Sequence, residues 1–195
     1  MISLCNDWEF TERCSAAFLR GEGAGTPVRL PHTVGLSPLH YASPADYERL
    51  SGYRRRLDIP EAYRGRRLFL QFDGAAHIAT VYINGRECAC HRCGYTAFRV
   101  EITALVEYGG ENSIAVELDS TENAEIPPFG FVIDYLTYGG LYREVWLDVR
   151  AQSNIEDVCV ATPALDRAKI SVAVSGEGAV RVGIFDGAAQ LASGI

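Results

Sequence analysis

No stretch of the 195-residue sequence approaches the roughly 20 apolar residues that a bilayer-spanning helix needs. Positive charge is also in short supply. Eighteen Lys and Arg face 25 Asp and Glu, for a net charge of −7. That balance argues against nucleic acid or an anionic membrane as a partner. The opening residues, MISLCNDWEF, lack a basic n-region, a long apolar stretch and a small-residue cleavage site, so the expected location is cytoplasmic. A G-x-S-x-G nucleophile elbow is missing, which removes the simplest serine-hydrolase reading. Internal repeats and low-complexity segments are absent, and helix signals are sparse. Six cysteines are present (Cys5, Cys14, Cys88, Cys90, Cys93, Cys159). In a chain of this size without an export signal, free thiols are expected rather than a disulfide framework.

What the sequence does contain is short strand-like runs. RLFLQF (67–72), IATVYI (78–83), SIAVEL (113–118) and EVWLDV (144–149) are rich in β-branched and aromatic residues. In the last run Val145, Leu147 and Val149 alternate with Glu144, Trp146 and Asp148, the period of a half-buried strand. Asn84-Gly85 directly follows IATVYI and predicts a hairpin, because a type I′ turn needs positive φ at both central residues. SPADYERL (43–50) predicts a turn or two of helix, with Ser43 as N-cap and Pro44 at the first position. Many short strands at close spacing predict an all-β sandwich. The rhythm changes near Gln152-Ser153, after which NIEDVCVAT, KISVAVSG, AVRVGIFDG and AQLASGI read as successive strands with Gly-rich turns. We therefore expect one unit over residues 1–152 and a second, shortened one over 153–195.

Several segments invite chemical readings. GEGAG (21–25) would suit a phosphate loop only between a strand and a helix N-terminus. TPVRLPHT follows instead, so a flexible loop is expected. ECACHRCGYTAF (87–98) places three thiols and an imidazole close together, like a metal knuckle. In an extended strand, however, Cys88 and Cys90 share one face and His91 points to the other, which is a poor start for a tetrahedral zinc site. We expect structural thiols and no bound metal. His32, His40, His77 and His91 are scattered and are read as structural. Glycosidase chemistry needs a pair of carboxyls, and nothing local singles out a pair among 25 acidic residues.

Taken in order, VRLPHTV (28–34), YRRRLDIP (53–60), GRRLFLQFDGAAHIATVYINGR (65–86), HRCGYTAFRVEIT (91–103), GENSIAVELD (110–119) and DYLTYGGLYREVWLDV (134–149) resemble the N-terminal sugar-binding domain of glycoside hydrolase family 2. That family includes β-galactosidases, β-glucuronidases and β-mannosidases. The tail from Asn154 resembles the start of its immunoglobulin-like second domain. The resemblance implies a jelly-roll β-sandwich followed by a truncated immunoglobulin-like β-sandwich. It also places Cys90 and Cys93 where glycines are usual. The family's catalytic glutamates lie on a later (β/α)₈ barrel, one of them in an Asn-Glu pair that this sequence lacks. No catalytic residue and no cofactor are therefore expected here, and the chain is expected to be inactive alone.

Asp134 is the expected substrate contact, since it stands nine positions before Arg143 at the offset of a sugar-binding aspartate in the family. Gly139, Gly140 and Arg143 are expected to hold its loop. A galactosidase contact two residues after the glycine of FDG is not kept, because Ala76 stands there. The implied partners are a β-linked oligosaccharide or glycoside and the barrel of a parent enzyme, with homo-oligomerisation left open. The alternative is a free-standing, lectin-like carbohydrate-binding module.

Overall fold

The computed structural model describes residues 1–36, 43–127 and 138–194. Two units are distinguished, Met1–Val149 and Arg150–Ile195. The strands of the first are β1 (Ile2–Ser3), β2 (Trp8–Thr11), β3 (Thr26–Val28), β4 (Leu50–Ile59), β5 (Arg67–Phe72), β6 (Ile78–Ile83), β7 (Arg86–Arg92), β8 (Phe98–Glu101), β9 (Gly110–Asp119) and β10 (Val145–Arg150). They make a six-stranded sheet ordered β3-β2-β4-β9-β6-β7 and a four-stranded sheet ordered β1-β10-β5-β8. The pairings of the larger sheet are antiparallel.

Alternation explains why the two sheets form a sandwich. Leu68, Leu70 and Phe72 of β5, Ala79, Val81 and Ile83 of β6, and Ile114, Val116 and Leu118 of β9 all enter one core cluster. Fully burying each larger side chain is worth about 1.5–3 kcal/mol. This is the all-β sandwich expected from the strand pattern. The Asn84-Gly85 turn has φ of 51° and 75°, as the hairpin reading requires. The Asn84 amide also ties the turn to β9, donating to Asn112 Oδ1 at 2.9 Å and accepting from the Ser113 N–H at 2.8 Å.

Two local readings are refined. The 43–50 segment makes a single 3-10 turn, Pro44–Asp46, before β4 takes over at Leu50. Asp46 Oδ2 accepts the Ser43 N–H at 2.7 Å. The GEGAG loop leads into β3 rather than a helix. Arg54 grips its carbonyls, donating to Glu22 O at 2.8 Å and Gly23 O at 2.6 Å while pairing with Glu9. A short helix, α1 (Ala16–Leu19), precedes that loop and is capped by Ser15, whose Oγ accepts the Phe18 N–H.

The second unit contains two hairpins. One pairs β11 (Asn154–Ala164) with β12 (Arg167–Ser175), and the other pairs β13 (Val182–Asp186) with β14 (Ala189–Gly194). These follow the four strand-like runs of the sequence.

Candidate functional site

Asp134 lies outside the described residues, as does His40. What the structure describes is the strip of chain just after the Asp134 segment and everything that holds it. Gly139–Leu141 runs between two partners. On one side Val34 N–H donates to Gly139 O at 3.0 Å and His32 N–H to Leu141 O at 2.8 Å. On the other, Ala76 and Gly140 exchange both backbone bonds, at 3.0 and 3.1 Å. The fit is too close for side chains. A Cβ on Gly139 would meet Ser120, and one on Gly140 would meet the His32 carbonyl oxygen. Gly140 also has a φ of 132°, which L side chains rarely adopt.

Arg143 fastens the neighbouring turns. Its Nη1 donates to Asp73 O and Tyr95 O, both at 3.3 Å, and its guanidinium lies over the Tyr142 ring. The Tyr142 hydroxyl donates to Gly94 O. Asp73 is further held by Trp146 Nε1 at 2.8 Å. Thus the 73–76, 93–95 and 139–143 segments converge at one edge of the sandwich, with Ala76 beside the strip that leads from the Asp134 segment. The roles expected for Gly139, Gly140 and Arg143 are structural ones, and these contacts supply the physical reason.

Two histidines flank this edge. Burial lowers the pKa of His77, and the nearby Asp119 carboxylate partly opposes that shift. Burial also lowers the pKa of His32, favouring neutral imidazole. His32 Nδ1 sits 2.9 Å from the Tyr53 hydroxyl.

The thiol-rich segment departs from its expected geometry. A bulge on β7 opposite Val81 and Tyr82 breaks the simple alternation. Cys88 and Ala89 both pack against the core, whereas Cys90 is exposed. Cys88 and Cys90 therefore do not share a face. Cys88 Sγ–H donates to Val81 O at 3.2 Å, and burial pushes its pKa up to about 11. His91 stacks on Phe98 at 4.3 Å, and its Nε2 meets the Thr96 hydroxyl at 2.9 Å. Among the described residues no three His, Cys, Asp or Glu side chains gather as a metal-holding group.

A family model described as "Glycosyl hydrolases family 2, sugar binding domain" matches residues 23–150, the span that contains this edge. The chain belongs to glycosyl hydrolase family 2. It is 38% identical over 149 residues to a β-galactosidase of Thermoanaerobacter pseudethanolicus, covering 76% of this chain and 20% of that protein. It is 39% identical over 165 residues to a β-glucuronidase of Bacteroides fragilis, covering 84% and 23%. Among solved structures, a Bacteroides uniformis β-glucuronidase superposes with a TM-score of 0.76 at 27% identity, over 87% of this chain and 21% of that one. A Ruminococcus gnavus β-glucuronidase shares the fold at a TM-score of 0.81 and 22% identity, over 98% of this chain and 37% of that one. This family 2 chain thus spans about a fifth of the length of the curated relatives it matches.

The 139–143 sequence pattern signalled that this segment mattered. Its backbone partners, His32, Val34 and Ala76, are distant in the chain and could not be named from local pattern.

Proposed function

We propose that residues 1–152 are the non-catalytic sugar-binding region of a family 2 retaining β-glycosidase and form one wall of its sugar pocket. The catalytic carboxylates belong to a (β/α)₈ barrel outside this chain, and residues 153–195 begin an immunoglobulin-like domain. The observation that carries this reading is the match of the family's sugar-binding model to residues 23–150. Relatives named β-galactosidase and β-glucuronidase support β-linked glycosides as the substrate class.

Within that wall we assign Asp134 the sugar contact. An ionised carboxylate only accepts hydrogen bonds, so it suits two adjacent hydroxyls of one pyranose. Hydrogen bonds to charged groups contribute about 1.5–3 kcal/mol. In the complete enzyme, Asp134→Ala should therefore lower kcat/KM by roughly tenfold to a hundredfold. The melting temperature should stay almost unchanged. The 195-residue chain alone should leave nitrophenyl β-galactoside, β-glucuronide and β-mannoside intact. An unchanged kcat/KM in Asp134→Ala, or turnover by the isolated chain that survives repurification, would overturn the assignment. A gene that does not continue in frame into a barrel after Ile195 would favour the lectin-like alternative.

A further inference from the structure

A cleft of about 640 Å³ opens between β2, β3 and the 32–36 segment, bordered by Phe10, Glu12, His32 and Thr33. Its chemistry is set by a buried tyrosine. Tyr53 has no exposed surface. The hydroxyl proton still needs an acceptor, because a buried donor left unpaired costs about 1–3 kcal/mol. Among the described residues the acceptor is His32 Nδ1, 2.9 Å away. A neutral imidazole that accepts at Nδ1 carries its proton on Nε2.

Nε2 has no hydrogen-bond partner among the described residues. None of their buried side-chain nitrogens or oxygens lacks a partner either, so Nε2 reaches solvent. The ring is held in place, tilted against Phe10 at 4.8 Å and edge-on to Tyr53 at 5.6 Å. Around this fixed donor the cleft offers acceptors. The Thr33 hydroxyl spends its proton on Gly35 O at 3.1 Å, and the Glu12 carboxylate stands at the rim 3.5 Å from Arg49. One neutral N–H beside an aromatic ring and oxygen acceptors suits the hydroxyls of a sugar better than a compact ion.

The cleft is joined to the candidate site by backbone. His32 N–H bonds Leu141 O at 2.8 Å, so the strip following the Asp134 segment also holds the backbone that carries this imidazole. We propose that the His32 cleft binds a second pyranose ring of a β-linked oligosaccharide, with His32 Nε2–H donating to one of its hydroxyls. This inference rests on the sugar-pocket reading above and extends it from one ring to two.

The test is a titration of the ¹⁵N-labelled 195-residue chain, followed through the imidazole ¹⁵N–¹H signals. The free chain should show His32 protonated at Nε2, and Tyr53→Phe should weaken that preference. β-Linked galacto-oligosaccharides and a glucuronate-ended β-linked disaccharide should shift the His32 signals. Methyl β-galactoside and methyl β-glucuronide should bind without doing so. His32→Ala should weaken oligosaccharide binding about threefold to tenfold, the worth of one neutral hydrogen bond. His32→Gln, which keeps an N–H donor, should recover part of the loss. An Nδ1–H tautomer, His32 signals unmoved by bound oligosaccharide, or equal shifts from the methyl glycosides would each overturn the second-ring site. If methyl glycosides bind and Asp134→Ala abolishes that binding while His32 stays silent, the pocket reading stands and this inference falls. If no glycoside of any length binds, both fall.

Discussion

Gly140 is the residue on which the edge depends most. Its φ of 132° lies outside the usual range of L residues, and its Cα faces the His32 carbonyl and Thr33 Cα. Substitution would thus combine backbone strain with a steric clash. Gly140→Ala should lower stability by at least about 1–3 kcal/mol, the usual cost of a disfavoured backbone conformation. Gly110→Ala is the control, since its Cβ would meet nothing within 4 Å and its φ is not in the positive range. That change should stay within about 0.5 kcal/mol. Both tryptophans, Trp8 and Trp146, lie in the first unit, so fluorescence-monitored urea denaturation reads it directly. Equal midpoints for the two variants would refute the argument. Tyr-Gly-Gly-Leu-Tyr-Arg was readable as a turn held for a purpose. The cause of its glycines was not, because Gly140 meets a carbonyl more than 100 positions earlier in the chain.

At the scale of elements, legibility followed alternation. β5 and β6 coincide with the runs read from sequence: β6 alternates buried and half-buried positions throughout and is closed by a hairpin turn, while β5 buries Leu68, Phe69 and Leu70 in succession within a dense apolar run. β4 was not read as a strand, and Arg55 is the reason. It shares the parity of the buried Tyr53, Leu57 and Ile59, yet carries a charge. Its Nη1 reaches Leu4 O at 2.8 Å while the guanidinium lies over Trp8, so an arginine occupies a core-facing register. On β7 a bulge overturned the face assignment, a feature that strict period-two reading cannot foresee.

The same segment makes the thiols chemically unequal. The Thr96 hydroxyl, with backbone help from Tyr95 and Thr96, lowers the pKa of Cys93. Burial, reinforced by Glu117, pushes Cys14 up to about 12, and burial pushes Cys88 up to about 11. A lowered pKa means more thiolate at a given pH, and thiolate is the nucleophile. At mildly alkaline pH iodoacetamide should therefore modify Cys93 ahead of Cys14 and Cys88, as read by peptide mass spectrometry. Thr96→Val should slow Cys93, and the protein should carry no stoichiometric zinc. Earlier labelling of Cys14 or Cys88, no effect of Thr96→Val, or about one zinc per chain would contradict this picture.

The two units differ in how they satisfy their strands. The first buries alternating faces of two sheets in one cluster. In the second, β11–β12 and β13–β14 are separate two-stranded sheets, an arrangement that is marginal in isolation. Val160, Leu165, Phe185 and Leu191 of this unit are exposed. Ile170, Val172, Val182 and Ile184 line an open cleft of about 460 Å³. The change of rhythm near Gln152 was visible in sequence, because Gly-rich turns separate the successive strand-like runs after it. How much apolar surface the second unit leaves uncovered was not visible, since burial depends on partners rather than on pattern. Exposed apolar faces and unpaired strand edges favour association. Light scattering should show the 195-residue chain associating as its concentration rises. A chain ending at Gln152 should remain monomeric over the same range, with the emission of Trp8 and Trp146 unchanged because their unit keeps its own core. Equal monodispersity of both chains would show that the second unit's apolar surface is harmless, whereas altered tryptophan emission in the shorter chain would show that the first unit needs the second to fold.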